Sequence, residues 1–401
     1  MKPWTSKFAA LCGATMLAAA GVISLSGTAL ADSAHHHVLR VGCGPGAYAT
    51  IGAAVTAAAS GDTVQVCSGT YHELVTVPAG KPLTIMGTGH PVVDAAGLSD
   101  PATGQYSGVL VLASGTTIEG LTVENATGEG ILVQGLAAPV THVTIRGNRV
   151  TGNDLGNASG TVITTSPYAE CNGVPGIPGD CGEGLHLWAV TDSVVTGNVV
   201  NFNAGGVLLT DETGPTHGNL IAFNNVSDNT FDCGVTLASH NQGAAPGGVP
   251  APDVAGVYGN TVTHNVAIGN GLRGEGSGIL MASPFPGGAV YDNTVTGNYA
   301  SGNALAGVTV HMHAPGQDLN GNVVTGNLLA TNNVNGDRDS APFDLETTGV
   351  LVRAVAPLSI IIKGNVISHN TYGIWISSTV TATGASRNVF IAVGTPVFVQ
   401  P

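Results

Sequence analysis

The chain has 401 residues, of which 25 are Asp or Glu and 11 are Lys or Arg, a formal charge of −14. With no basic patch, the composition speaks against a nucleic-acid partner, and a strongly anionic substrate would be repelled unless a metal cation or a local Arg met it. Fifty-nine glycines, few charges and abundant β-branched aliphatics describe a turn-dense β structure and not a disordered chain.

The N-terminus reads as a secretion signal. Lys2 and Lys7 precede an apolar run over residues 8–25, and Ala29-Leu30-Ala31 is a small-residue cleavage pattern. A signal peptide is therefore expected over 1–31 and a flexible mature terminus over 32–40. Nothing later in the chain is apolar enough to span a bilayer. His35-His36-His37 falls in the flexible part and carries no specific role. In an oxidising compartment, Cys43 with Cys67 and Cys171 with Cys181 are two natural disulfides. Cys233, directly before a Gly-Val-x-Leu strand, is expected as a buried, inert thiol.

Residues 41–100 form a first unit. A short helix is predicted over 53–59, placed to cap the open end of a strand stack. Turn-punctuated strands come next at Gly61-Asp-Thr-Val64, Gly69-Thr-Tyr71 and Leu83-Thr-Ile-Met86.

From about residue 108 to 390 one block recurs. Val195-Thr-Gly-Asn198-Val-Val-Asn-Phe-Asn203 leads to Gly206-Val-Leu-Leu209, and variants of it fill the rest of the chain. Short alternating apolar runs are strands with one face inward, and Asn and Gly between them make tight turns. A short repeat of this kind is a stack of coils, a parallel β-helix of about eight to ten coils and roughly 40–50 Å at one strand spacing per coil. Two Asn series, Asn148, Asn198, Asn224, Asn260, Asn293, Asn322, Asn365 and Asn153, Asn203, Asn229, Asn265, Asn298, Asn327, Asn370, are expected as structural ladders and not as ligands. Insertions at 154–183 and 333–348 precede the Gly-Val strands, and others at 211–218, 240–253, 283–287 and 312–317 come after them. Insertions on one side frame a binding face.

That face is expected on the outside of the Gly-Val-x-Val strands. Uncommon residue types gather there: His186 and Trp188, His311, Arg353 and Trp375, with Asp211, Glu212, His217, His240, Met312 and His313 just past the strand ends. Trp188 and Trp375 suit stacking on sugar rings, with covering of neighbouring loops as the plain alternative. Asp211, His240 and His311, with His313, suit proton transfer, or metal ligation through the His311/His313 pair. Arg353 is the group to meet a substrate carboxylate. Glu183 and Glu275, just before their strands, are candidate second carboxylates or simple turn residues.

The pattern Ala54-Val55, Ser60-Gly-Asp-Thr-Val64, Gly69-Thr-Tyr71 and Leu83-Thr-Ile-Met-Gly87, followed by Asn-rich coils, resembles the pectin-lyase-like right-handed parallel β-helix superfamily. Within it the chain is similar to secreted bacterial proteins with periplasmic copper-binding-type and carbohydrate-binding repeats. The resemblance implies polysaccharide lyases, hydrolases, esterases or epimerases, or a non-catalytic member, since fold alone does not choose. Asp211-Glu212 and Ser239-His240 resemble the acidic pair and Ser/Gly-His element of glycosidases on this fold. Neither the polygalacturonase nor the pectinesterase catalytic pattern is present. The expectation is a secreted enzyme acting on a polysaccharide or cell-surface glycan. Asp211, His240, His311, His313 and Arg353 would do the chemistry, and His186, Trp188, Glu212, His217 and Trp375 would hold the sugar. In a hydrolase version, Asp211 and Glu212 or Asp232 would share acid and base roles. Calcium or another divalent metal is the cofactor such a site would take. The alternatives are a non-catalytic glycan- or metal-binding module and a copper-handling protein using the rim of His311, Met312 and His313.

Overall fold

The computed structural model describes residues 36–100, 105–153, 181–337 and 346–400. The signal peptide, His35, Cys171 and most of the 154–183 insertion lie outside them. The described chain from His36 onward is one unit. It is a parallel β-helix with one short helix.

Four parallel sheets run along the stack. In one coil, Val194–Thr196, Val199–Asn201, Val207–Thr210 and Thr216–His217 follow one another, and Leu220–Ala222 then returns to pair with Val194–Thr196. The first sheet has 12 strands, the second and third 11 each, and a fourth, made of two-residue strands, has 5. Eleven strands in the third sheet exceed the eight to ten coils expected. The unit at 41–100 contributes coils of its own, and so does the last strand, Thr395–Gln400.

Inward positions stack in columns. Val195, Ile221, Val262, Val295 and Val324 are in register on successive coils and fully buried. Each such side chain contributes about 1.5–3 kcal/mol by leaving water. The glycine opening each third-sheet strand is set by the coil spacing: a Cβ on Gly206 would sit 2.1 Å from the carbonyl oxygen of Gly234.

The helix spans Ile51–Ala57, two residues earlier than expected. Thr50 Oγ1 accepts from Ala53 N, and the Glu73 carboxylate accepts from Ile51 N and Gly52 N at 2.7 and 2.9 Å, so the orphan donors of its first turn are met. Residues 38–40, expected in a flexible terminus, instead form the strand Val38–Val41, paired with Thr63–Cys67. Cys43 and Cys67 are disulfide-bonded. This fits an oxidising compartment. Cys233 is a buried free thiol, and burial pushes its pKa well up. No helix among the described residues is long and apolar enough to cross a membrane.

The asparagines do form ladders, but there are three, and the expected threading is corrected. Asn198 Nδ2 donates to Asn224 Oδ1 at 2.9 Å, and Asn224 donates to Asn265, Asn265 to Asn298, and Asn298 to Asn327. Asn229 continues to Asn270 and Asn303, while Asn219, Asn260, Asn293 and Asn322 form the third ladder. The same five-residue spacing recurs at three successive turns, so the sequence alone leaves the phase ambiguous by one turn. The left-handed backbone is carried by the residue before each Asn, such as Phe202, Phe223, His264 and Gly297. The Asn itself does not carry it.

Candidate functional site

The outward side of the third sheet presents two rows in register. One runs His186, Leu208, Thr236, Leu280, Thr309, Leu351 and Trp375. The other pairs Trp188 with Thr210, and aligns Ala238, Ala282, His311 and Arg353. Much of this face is covered. His186 is 0%, Trp188 4% and Trp375 3% exposed. Leu280 is half-buried, and the small Ala238 and Ala282 stand in the neighbouring row.

Two carboxylate–imidazole pairs stand on the coils on either side of Leu280. His240 Nδ1 lies 2.6 Å from Glu212 Oε1, with the imidazole side chain 11% exposed. His311 Nε2 lies 2.9 Å from Asp337 Oδ2 and is 5% exposed. His240 comes just after the strand Val235–Ala238, and His311 belongs to Val308–Met312, two strands on. That separation is roughly 10 Å. His313 is half-buried, its ring edge-on to His311 at 5.2 Å and its Nδ1 2.9 Å from Ser283 O. Arg353 is the in-register neighbour of His311 and makes no ion pair among the described residues. Burial works to raise the Glu212 pKa, but the hydrogen bond and charge of His240 outweigh it and hold the carboxyl below its ordinary range. With Nδ1 turned to a carboxylate, His240 has Nε2 as its basic nitrogen.

Several expected members do not join these two pairs. Asp211 is wholly buried and accepts from Ser239 Oγ, His240 N, Asn241 N and Gly256 N at 2.7–3.1 Å. Burial first, then the charge of Glu212, pushes its carboxyl up to about 7 against those donors. It anchors the turn that carries His240 and has no face toward a substrate. Trp188 packs with Leu110 and Leu132, and Trp375 with Leu351 and Phe398, so neither offers a ring face to a sugar. His217 stacks on Tyr258 at 4.8 Å, and Tyr258 on Tyr291 at 4.9 Å, in the fourth sheet. That ladder takes one face of the His217 ring and both faces of Tyr258. Met312 is buried in the core, which breaks up the His/Met rim of the copper reading. Glu183 is buried, whereas Glu275 lies exposed beside Arg273 and Asn335. Among the described residues, no group of three or more His, Cys, Asp or Glu could hold a metal ion.

Three further residues matter here beyond those that the sequence reading singled out. Asp337 comes from the 333–348 insertion, and its carboxylate meets the His311 ring, a proximity that sequence does not show. Phe285, 43% exposed, sets its edge toward His240 at 6.4 Å. It lies between Pro284 and Pro286 in a short insertion that marks its position. Glu129 is buried against His186 at 3.3 Å. Its signal is present, because Gly128-Glu-Gly-Ile131 repeats Gly182-Glu-Gly-Leu185.

The fold is a parallel β-helix. A family model, the right handed beta helix region, matches residues 98–246. No curated protein matches the sequence. Among solved structures, the alginate lyase from Paenibacillus sp. str. FPU-7 is similar with a TM-score of 0.53 at 16% identity, over 90% of this chain and 99% of that one. The A-module of the Azotobacter vinelandii mannuronan C-5 epimerase AlgE4 gives 0.50 at 16% identity, over 88% and 92%. Pectate lyase Pel9A also gives 0.50 at 16%, over 88% and 78%. At these identities the likeness concerns fold alone.

Proposed function

We propose that this protein is a secreted polysaccharide-active enzyme of the proton-abstracting kind, a lyase or an epimerase, acting on a uronate-bearing glycan laid across the third sheet. The observation that carries this reading is the pair of dyads, Glu212–His240 and Asp337–His311, on the coils on either side of Leu280, with Arg353, free of any ion pair among the described residues, beside the second. Such dyads suit removal of a proton from one face of a sugar and delivery from the other.

Arg353 meets the uronate carboxylate and stabilises the negative charge that develops when the neighbouring carbon loses its proton. His240 Nε2 takes that proton. In a lyase, the electron pair forms the new C=C bond as the C–O bond to the next sugar breaks. The departing oxygen then takes a proton from His311 or His313. In an epimerase no C–O bond breaks, and the proton returns on the opposite face. A hydrolase version built on Asp211 and Glu212 has less support, because Asp211 is buried under four donors. The similar folds of two proteins named as lyases and one named as an epimerase agree with this choice of chemistry.

The test is incubation with acidic and neutral polysaccharides, with and without calcium, reading new reducing ends and the ultraviolet absorbance of unsaturated uronate together. Absorbance with reducing ends on an acidic polymer, lost in His240→Ala, is the expected lyase result. Reducing ends without absorbance would make the protein a hydrolase. Sugar binding by calorimetry with neither product nor proton exchange would make it a binding module.

A further inference from the structure

One turn of the coil stack departs from its repeat. Between the first and second sheets, the residue before each ladder Asn has left-handed backbone, and it is glycine at Gly147, Gly197, Gly297, Gly326 and Gly364. Two successive coils break that rule, with Phe223 at φ 57° and His264 at φ 52°. A bulky side chain at such an angle is uncommon and costs stability, and the other coils show that glycine serves the turn. The two rings are stacked, with centroids 5.1 Å apart. Thr263 Oγ1 lies 2.7 Å from His264 Nδ1. On the far side of the imidazole, a Cβ on Gly297 would meet the ring at 3.1 Å. His264 is thus wedged between Phe223 and the next turn, and it covers one face of the Phe223 ring.

The other face is open. Phe223 is 63% exposed, too much for a ring covered on both sides. On the preceding coils, a Cβ on Gly197 or Gly147 would meet nothing within 4 Å. No side chain, that of Phe223 included, therefore lies over those turns. Successive coils are about 5 Å apart. A flat ring in van der Waals contact with Phe223, ~4 Å away, would lie over Gly197. Phe202, at the turn between the second and third sheets, is the contrast. It is exposed and left-handed too, but no ring stacks on it among the described residues.

Polar groups flank the open space. Thr196 comes immediately before Gly197. Arg149 is exposed, in register with Val199 one coil on and, through it, with Asn225 on the Phe223 coil. Arg146 is paired with Glu119, whereas Arg149 makes no ion pair among the described residues. A free guanidinium in a chain of net charge −14 suits a carboxylate on the ligand. The negative face of an aromatic ring suits the polarised C–H bonds on one side of a sugar ring. A nucleic acid, which needs many cations, fits this acidic surface less well.

We propose that this turn is a second glycan subsite, at which Phe223 stacks on one sugar ring of an acidic polysaccharide and Arg149 meets its carboxylate. The subsite lies between the first and second sheets and not on the third, and it goes beyond the function proposed above. It holds polymer and takes no part in the chemistry.

The experiment is affinity electrophoresis of the whole protein, in a His240→Ala background, through gels holding polygalacturonate, alginate or a neutral cellulose ether. Phe223→Gly installs the residue that the repeat itself uses, so the coil is kept. It should weaken retention by the polyuronates ~3–10-fold. Phe223→Tyr keeps the ring and should stay within about twofold of the parent. Arg149→Gln should weaken retention ~2–5-fold and flatten its dependence on salt. Phe202→Gly should leave it unchanged. No retention by either polyuronate, retention unmoved in Phe223→Gly, or an equal loss in Phe202→Gly or Phe223→Tyr overturns the proposal. An equal loss on the neutral polymer, or no effect of Arg149→Gln, overturns the assignment to an acidic sugar. Turnover by the wild-type protein with retention unmoved in Phe223→Gly sinks this subsite and keeps the enzymatic reading. Retention lost in Phe223→Gly by a protein that turns over no glycan does the reverse.

Discussion

The turns of this coil stack and the outward face of its third sheet both carry polar side chains stacked at one coil spacing, and they use them in opposite ways. At the turns, each Asn amide donates to the next Asn and accepts from the one before, as along Asn198, Asn224, Asn265 and Asn298. The ladder is periodic, buried and saturated. On the third sheet the polar residues are aperiodic, of unlike types and paired acid to imidazole, with Arg353 left over. Regular repetition of a polar residue in a solenoid thus marks structure, while departure from the repeat marks chemistry.

Breaking each side of this comparison should give opposite signatures. His240→Ala should lower turnover by ~10²–10⁴-fold, the usual worth of a general base, with the thermal midpoint nearly unchanged. Steady-state kinetics alongside calorimetric melting checks both halves. Asn265→Ala, in mid-ladder, should do the reverse. It leaves buried backbone donors and acceptors without partners at about 1–3 kcal/mol, read as a lower denaturation midpoint with the turnover of the remaining folded protein intact.

Stability against acid should sharpen the contrast. The Glu129 and Glu212 carboxyls titrate lower in the folded protein than the ordinary glutamate value of 4.5. Carboxyls depressed in this way contribute stability that is present above about 4.5 and lost as pH falls through their folded values. Denaturant unfolding at a series of pH values should show that loss in wild type, and a shallower one in Glu129→Gln. The ladder asparagines do not titrate, so Asn265→Ala should shift the whole curve without changing its slope. The smallest effect is expected at Trp375. With its ring packed with Leu351 and Phe398, and so without a face for a sugar, Trp375→Phe should leave glycan affinity within about twofold, or about 0.4 kcal/mol, by calorimetry.

The repeat itself is legible in the sequence, because alternating apolar runs and Asn-Gly turns dictate inward columns and tight corners. The disulfide Cys43–Cys67 and the buried thiol of Cys233 are legible too. Outward positions are located correctly by their alternation, but alternation says which side of a strand a residue is on, not whether another segment lies over it. That is why Trp188 and Trp375 read as open platforms and are covered. Asp211 looks catalytic by its neighbours Glu212 and His240, yet its buried carboxylate is spent on the backbone of the next coil. His240 and Arg353 stand out by type and place alone. Asp337 does not, since it acts on a histidine distant in sequence, and Glu129 is marked only by the repeat of its Gly-Glu-Gly triplet.

The central claim is that His240 removes the proton beside a substrate carboxylate. The direct measurement is incubation of polyuronates in heavy water with wild type and with His240→Ala, following loss of the signal of that C–H by proton NMR. Because elimination and epimerisation both pass through the same proton removal, one signal covers both. The account requires loss of the signal, by exchange or by elimination, in wild type and its near absence in His240→Ala. An unchanged signal in wild type across the polyuronates, or equal loss in the variant, would contradict it.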